Sequence, residues 1–138
     1  MPQFVVHEHH ASRLHFDLRL EIDKVLKSWA VPKGPSMNPK ERRLAIMVRD
    51  HPLDYADFEG TIPEGMYGAG AVAIWDKGRF EINGGSLQKG KLDITFYGKK
   101  LRGAFALARM SGKDTEWLLM KKKDSFADYE FVLTTAFP

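Results

Sequence analysis

Four of the chain's five histidines fall between His7 and His15, in the run His7-Glu8-His9-His10-Ala11-Ser12-Arg13-Leu14-His15-Phe16-Asp17-Leu18-Arg19-Leu20-Glu21. Imidazoles and carboxylates at this density are ligands for a divalent cation, and the interspersed guanidinium groups are ligands for an anion beside it. From Arg13 onward the run alternates strictly. Leu14, Phe16, Leu18 and Leu20 share one parity, while Arg13, His15, Asp17, Arg19 and Glu21 share the other. Successive side chains of a β-strand point to opposite faces, so one face enters a core and the other displays the chemistry. His15 and Asp17 then share a face roughly 6–7 Å apart at the backbone.

Two imidazoles and a carboxylate leave an octahedral ion open to a water and a substrate oxygen, and manganese or iron suits this set better than calcium. His9, His15 and Asp17 are the expected ligands. His10 competes with His9 for the first position, but its parity is opposite, and Ala11-Ser12 reads as a turn. A His-x-Asp pair alone also arises in purely structural settings; the density of histidines around it singles this one out. Arginines flanking a cation repel it unless an anion bridges them, and phosphate is the natural bridge. Arg19 is suited to that role, whereas Arg13 reads equally well as a solvated edge charge.

The elements that must hold these groups are short β-type segments: Phe4–Glu8, Arg13–Ile22, Val25–Val31, Arg43–Arg49, Ala71–Trp75, Arg79–Ile82, Lys91–Phe96, Leu101–Met110, Glu116–Lys122 and Phe131–Thr134. Turn signals separate them at Asp23-Lys24, Asp76-Lys77-Gly78, Asn83-Gly84-Gly85, Tyr97-Gly98-Lys99 and Ser111–Asp114. Many short strands with hairpin turns predict a sandwich or barrel. Helix is nearly absent, with single turns expected at Ala56–Glu59 or Ser125–Tyr129. Two long loops, Pro32–Lys40 and Asp50–Gly70, are rich in Pro and Gly, and long loops in a small domain are commonly functional.

With 138 residues, 43% of them hydrophobic, the chain is long enough for one domain with its own core, spanning residues 1–138. No apolar run approaches the ~20 residues that span a bilayer, and Met-Pro-Gln-Phe has neither the basic nor the apolar region of a secretory signal. A cytoplasmic protein without membrane contact is expected. The absence of cysteine excludes disulfides, thiolate metal sites, iron–sulfur clusters and cysteine nucleophiles, so any metal is held by nitrogen and oxygen. A net charge of +3 is compatible with a polyanionic partner and carries little weight alone.

Further basic groups lie in or beside the long loops: Lys33, Lys40, Arg42, Arg43, Arg49 and His51. Lys33, fixed between Pro32 and Gly34, is the more suggestive; Lys40 and Arg42 read as a solvated turn. Gly65-x-x-Gly68-x-Gly70 lacks the Lys-Ser/Thr of a P-loop and reads as a flexible loop. Trp29, Trp75 and Trp117 lie in strands and are expected in the core; Tyr55 is a loop aromatic that could stack on a base.

Three long motifs in order complete the reading. Phe4-Val5-Val6-x-x-His9-x-Ala11-x-Arg13-Leu14-His15-Phe16-Asp17-Leu18-Arg19-Leu20-Glu21, then Leu26–Ser36, then Asp50-His51-Pro52-Leu53-Asp54-Tyr55-Ala56-Asp57-Phe58-Glu59-Gly60-x-Ile62-Pro63-Glu64-Gly65-x-Tyr67-Gly68-Ala69-Gly70, resemble the 3′-phosphoesterase domain of bacterial DNA ligase D from Phe4 to about Lys123. The resemblance implies an all-β, compact β-barrel. It also implies a manganese-dependent enzyme of DNA repair and end joining that removes a 3′-terminal ribonucleoside and then the remaining 3′-phosphate, leaving 3′-OH. Its metal ligands match His9, His15 and Asp17. Its catalytic positions match Arg19, His51 and Tyr55, and its phosphate contacts match Arg19, His51, Lys33 and Arg43.

The implied partners are nucleic-acid 3′ ends on a primer–template, together with a separate DNA ligase, a polymerase and an end-binding protein. Two departures bear on this expectation. Members within ligase D carry a polar segment ahead of the Phe-Val-Val strand, whereas this sequence starts almost at that strand, so either another segment substitutes or one of the two activities is weakened. His7 stands where the family commonly has Gln, which alters a contact near the metal. Two other readings fit parts of the pattern: a non-haem iron oxygenase using His15-x-Asp17 with the distant His51, and a non-catalytic nucleic-acid-binding barrel with a structural metal.

Overall fold

The computed structural model describes residues 1–137. Among them the chain forms nine strands, β1 (Gln3–His10), β2 (Leu14–Ile22), β3 (Val25–Val31), β4 (Arg42–His51), β5 (Gly60–Ile62), β6 (Gly70–Ser86), β7 (Lys91–Tyr97), β8 (Arg102–Arg109) and β9 (Glu116–Lys121), with one 3-10 turn at Leu53–Asp57. Every pairing is antiparallel, in the order β1-β2-β3-β4-β9-β8-β7-β6, and β6 returns to pair with β1. This closes an eight-stranded all-β barrel without free edges, with β5 added outside the ring against the start of β6. Among the described residues no helix is long and apolar enough to cross a membrane.

The alternation read in β2 sets its register. Phe16, Leu18 and Leu20 are at most 1% exposed inside the barrel, packed with Phe4, Val6, Trp29 and Trp117. Each such burial contributes roughly 1.5–3 kcal/mol. A one-residue slip would turn all three outward and carry Asp17 and Arg19 into the apolar interior, so the register is strongly specified. A second, small cluster of Val5, Leu26 and Ala56 lies on the outer wall. It fastens the 3-10 turn, and with it the segment between β4 and β6, over β1 and β3.

The β2–β3 hairpin turns at Asp23 and Lys24, both at positive φ (55° and 67°), the geometry whose twist matches the flanking strands. Other turn signals mislead. Asp76-Lys77-Gly78 is not a turn, because β6 runs through it. The Asp76 carboxylate accepts the backbone N–H groups of Lys99, Lys100 and Leu101, and a Cβ at Gly78 would lie 2.3 Å from the Tyr97 carbonyl oxygen. These residues serve close approach to the β7–β8 connection. Asn83-Gly84-Gly85 is likewise inside β6, at a bulge between Ile82 and Gly84.

Phe131–Thr134 forms no strand. It crosses one end of the barrel as an irregular strap, with the Thr134 carbonyl accepting from Trp75 Nε1 at 2.6 Å. The turn expected at Ala56–Glu59 starts earlier, at Leu53, and Ser125–Tyr129 contains turns but no helix. The loop Asp50–Gly70 contains the unexpected β5. One irregularity matters for the site: β4 carries an extra residue, since Ser28 pairs with Val48 while Leu26 pairs with His51.

Candidate functional site

Residues directly opposite on antiparallel strands share a face, and the register builds the outer wall of β1–β4 from such pairs. His9 faces His15 and His7 faces Asp17. Asp17 faces Ala30 and Arg19 faces Ser28. Leu26 faces His51 across the β4 bulge. These positions line, or directly back, a cleft of about 320 Å³ whose rim comes from Tyr55, Ile62, Tyr67 and Gly68 of the β4–β6 segment.

At one end His9 Nδ1 lies 3.1 Å from His15 Nε2 and 3.3 Å from Asp17 Oδ2, and His15 Nε2 lies 3.4 Å from Asp17 Oδ1. The distal nitrogens assign the tautomers. His9 Nε2 donates to the Gly68 carbonyl at 2.7 Å, and His15 Nδ1 donates to the Arg13 carbonyl at 3.1 Å. Both imidazoles therefore turn a lone pair toward the same point beside a carboxylate, an arrangement satisfied by a cation or a shared proton. Ligand atoms around an ion at roughly 2.0–2.2 Å sit about 3–3.5 Å apart, so the donor set fits a divalent metal. Carbonyl acceptors behind the imidazoles are the usual outer support of such ligands.

Charge follows the same logic. Burial alone would push the Asp17 carboxyl up, but when the imidazoles carry a proton in place of a cation, hydrogen bonds from His15 and His9, with the charge of Arg19, hold it well below the usual carboxylate range. His15 is raised, chiefly by its hydrogen bond to Asp17 against the cost of burial. Protons and a cation thus compete for one lone pair.

Arg19, only 3% exposed, joins the two halves of the site. Its Nε donates to His7 Nδ1 at 3.0 Å, Nη1 to Ser28 Oγ at 2.9 Å, and Nη2 to Asp17 Oδ2 at 3.3 Å. Nη1 also lies 3.1 Å from His51 Nδ1, which is equally 3.1 Å from the Arg49 carbonyl. These two contacts need opposite tautomers of His51. A guanidinium only donates, and its charge makes the Arg19 bond the stronger, leaving Nε2 as the donor on His51. Burial first, then Arg19, lower the pKa of His51 and keep it neutral. Four of the five Arg19 N–H groups are thereby engaged, and one on Nη2 remains for a ligand.

Tyr55 lies beneath this pair, its ring 5.0 Å from Arg19 Cζ, 4.8 Å from the His51 ring and stacked on Phe58 at 5.0 Å. Burial raises its pKa, so the hydroxyl stays protonated. The structure thus brings His9, His15, Asp17, Arg19, His51 and Tyr55 together. His10 is excluded from the group: it points to the other face of β1, 2.7 Å from Glu8. Lys33 and Arg43 are not brought in. Lys33 is exposed beyond β3, and Arg43 shares the inward parity of Ala45 and Met47 and pairs with Glu41 at 3.3 Å.

Ser28, Tyr67 and Gly68 escaped the sequence reading as site residues, while His7 and Arg49 stood in it only as a departure near the metal and a basic group beside a loop. His7 is fully buried, accepting from Arg19 and donating from Nε2 to the Phe58 carbonyl at 3.1 Å. A glutamine offers the same acceptor and donor, and the shared parity of His7 with His9 was the available signal. Trp29, Trp75 and Trp117 are core residues, as expected.

A closed barrel with a metal-capable His/His/Asp group beside a buried arginine defines the class. The family model for the DNA Ligase D 3′-phosphoesterase domain matches residues 7–109, and the chain belongs to that family. It is 52% identical over 130 residues to the multifunctional non-homologous end joining protein LigD of Pseudomonas aeruginosa, covering 91% of this chain and 16% of that protein. It is 44% identical over 131 residues to the corresponding protein of Mycolicibacterium smegmatis, covering 88% and 17%. With the multifunctional non-homologous end joining DNA repair protein LigD of Mycobacterium tuberculosis it shares 46% over 123 residues, covering 88% and 16%. The chain therefore spans about a sixth of the length of the curated relatives it matches.

Proposed function

We propose that the chain is a metal-dependent 3′-end-healing phosphoesterase. It removes a 3′-terminal ribonucleoside from a primer terminus and then the 3′-phosphate, leaving a 3′-OH for the ligation or synthesis steps of end joining. The observation that carries this reading is the convergence of His9 Nδ1, His15 Nε2 and the Asp17 carboxylate in the same cleft as Arg19 and His51. A cation group beside a fixed guanidinium is matched to a phosphoryl group, which needs both charges at once.

Bound to His9, His15 and Asp17, a divalent ion, with Mn²⁺ the preferred candidate, supplies Lewis-acid polarisation of a phosphoryl oxygen. Arg19, oriented before substrate arrives by His7, Ser28 and Asp17, uses its remaining Nη2 donor and its charge on an equatorial oxygen without reorganising. Neutral His51 donates from Nε2 to the phosphoryl or leaving oxygen. Tyr55 positions both through its ring. Lys33 and Arg43 complete the proposed phosphate contacts on the strength of the family alone, since neither lines the cleft.

The test is a gel assay with a 5′-labelled primer–template ending in one ribonucleotide, and the same primer ending in 3′-phosphate, each with Mn²⁺ and with EDTA. Stepwise metal-dependent conversion to 3′-phosphate and then 3′-OH supports both activities. Unchanged primers would overturn the reading in favour of a binding barrel.

A further inference from the structure

Two residues of the cleft wall take no part in the chemistry above. Arg49, at the β4 bulge, places its Cζ 3.3 Å from the centre of the Tyr67 ring. Tyr67 sits in a doubly turned segment, where Met66 N–H donates to the Pro63 carbonyl and Ala69 N–H to that of Met66. Among the described residues Arg49 is in no ion pair with a carboxylate, although its neighbours Asp50 and Lys27 pair with each other. In the proposed function the phosphate is met by Arg19 and His51, and Arg49, a second guanidinium lining the cleft, is given no role there. The guanidinium covers the ring, yet Tyr67 remains 57% exposed, so a second planar group can still reach it. Tyr55, the other tyrosine of the cleft, is already engaged by Phe58, His51 and Arg19.

We propose that Arg49 and Tyr67 form a nucleobase platform, on which the terminal base of a nucleic-acid 3′ end stacks. Resting on the phosphoesterase reading, this deepens it by assigning the specificity contact on the nucleoside side. Three features support it. A largely exposed aromatic ring with a guanidinium against it is the combination that binds bases regardless of sequence. The cleft, at about 320 Å³, falls in the range of small-molecule sites, roughly 300–1,000 Å³, rather than being a socket for phosphate alone. The platform is also held in register with the metal-capable group: Tyr67 is adjacent to Gly68, whose carbonyl orients His9 at 2.7 Å. Base and phosphate are thereby located against one common segment.

The experiment is fluorescence anisotropy in EDTA with 5′-labelled primer–templates ending in 3′-phosphate, one carrying its terminal base and one abasic at that position. It compares wild type, Tyr67→Ala and Tyr67→Trp. Wild type is expected to lose affinity on the order of 10-fold, within about 5- to 150-fold, when the base is removed. Tyr67→Ala is expected to bind both duplexes alike, and Tyr67→Trp to restore the discrimination. Wild type indifferent to the base, wild type binding neither duplex, or Tyr67→Ala discriminating as well as wild type would each overturn the proposal. No metal or turnover enters this measurement. Its failure is therefore separable from failure of the phosphoesterase reading, which the gel assay decides.

Discussion

The two faces of strand β1 each meet a histidine–carboxylate cluster: Glu8 with His10 on the core side, and His9 with His15 and Asp17 of β2 on the cleft side. On the core side Glu8 is fully buried and saturated: Oε1 accepts from the Ala136 amide at 2.6 Å, while Oε2 accepts from His10 Nε2 at 2.7 Å and from the Phe137 amide at 3.4 Å. The His10 ring packs edge-on against Phe137 at 4.5 Å. On the cleft side His9, His15 and Asp17 show the opposite economy of bonds, with lone pairs converging and the N–H groups turned away. Composition does not distinguish the two clusters. What does is whether each acceptor already has its donor, and only the outer cluster retains the capacity to hold a cation.

The sharpest way to break this contrast is Asp17→Asn or His15→Ala, each expected to reduce turnover of the 3′-phosphate primer to the level of EDTA-treated protein. Calorimetry should show loss of Mn²⁺ binding, and near-normal activity of the Asp17 variant would remove the metal assignment. The mirror experiment, Glu8→Gln, should cost about 1–3 kcal/mol of stability in urea through lost bonds to the terminal strap. Mn²⁺ affinity in that variant should remain within a few-fold of wild type; a large fall would mean that the two faces are not independent.

A pH series sharpens the comparison further. Burial and then the charge of Arg19 push His7 down to about 3, whereas it titrates near 6.5 in the unfolded chain. Between those values only the unfolded chain binds the proton, so stability falls with decreasing pH by up to about 1.4 kcal/mol per unit. His7→Gln should lessen the loss of urea midpoint between pH 7 and pH 5. An unchanged loss would show that His7 is not held neutral. The smallest effect is expected for Arg13→Ala. It keeps the backbone carbonyl that receives His15 and should change turnover by no more than a few-fold in the gel assay.

Parity made the ligand group legible, because a period of two distinguishes His9 from His10 without knowledge of what either touches. It also placed Phe16, Leu18 and Leu20 inside. What it concealed was made by contacts remote in sequence: the Phe58 carbonyl behind His7, the Gly68 carbonyl behind His9, and Ser28 behind Arg19. The long β6 was hidden because Asp76 and Gly78 have the composition of a turn while serving a neighbouring connection. Phe131–Thr134 has the apolar residues of a strand, yet its backbone and side chains close the barrel end instead of joining a ladder. Arg43 was assigned to the site by the resemblance alone and Lys33 by the resemblance and its setting between Pro32 and Gly34, and their observed positions follow from the inward parity of β4 and the exposed β3–β4 loop.

The extra residue in β4 gives that strand a local change of stride. A regular strand offers a given surface only every second residue, which caps how much chemistry it can present per unit length. Here Val48, Arg49 and His51 all line the same cleft. Removing one residue between Val48 and His51 would restore the even stride, keeping the histidine outward while turning the arginine's position inward. A change in length alone would therefore uncouple the two, so a homologue one residue shorter at this point should retain the imidazole of the site and lack the guanidinium on its wall.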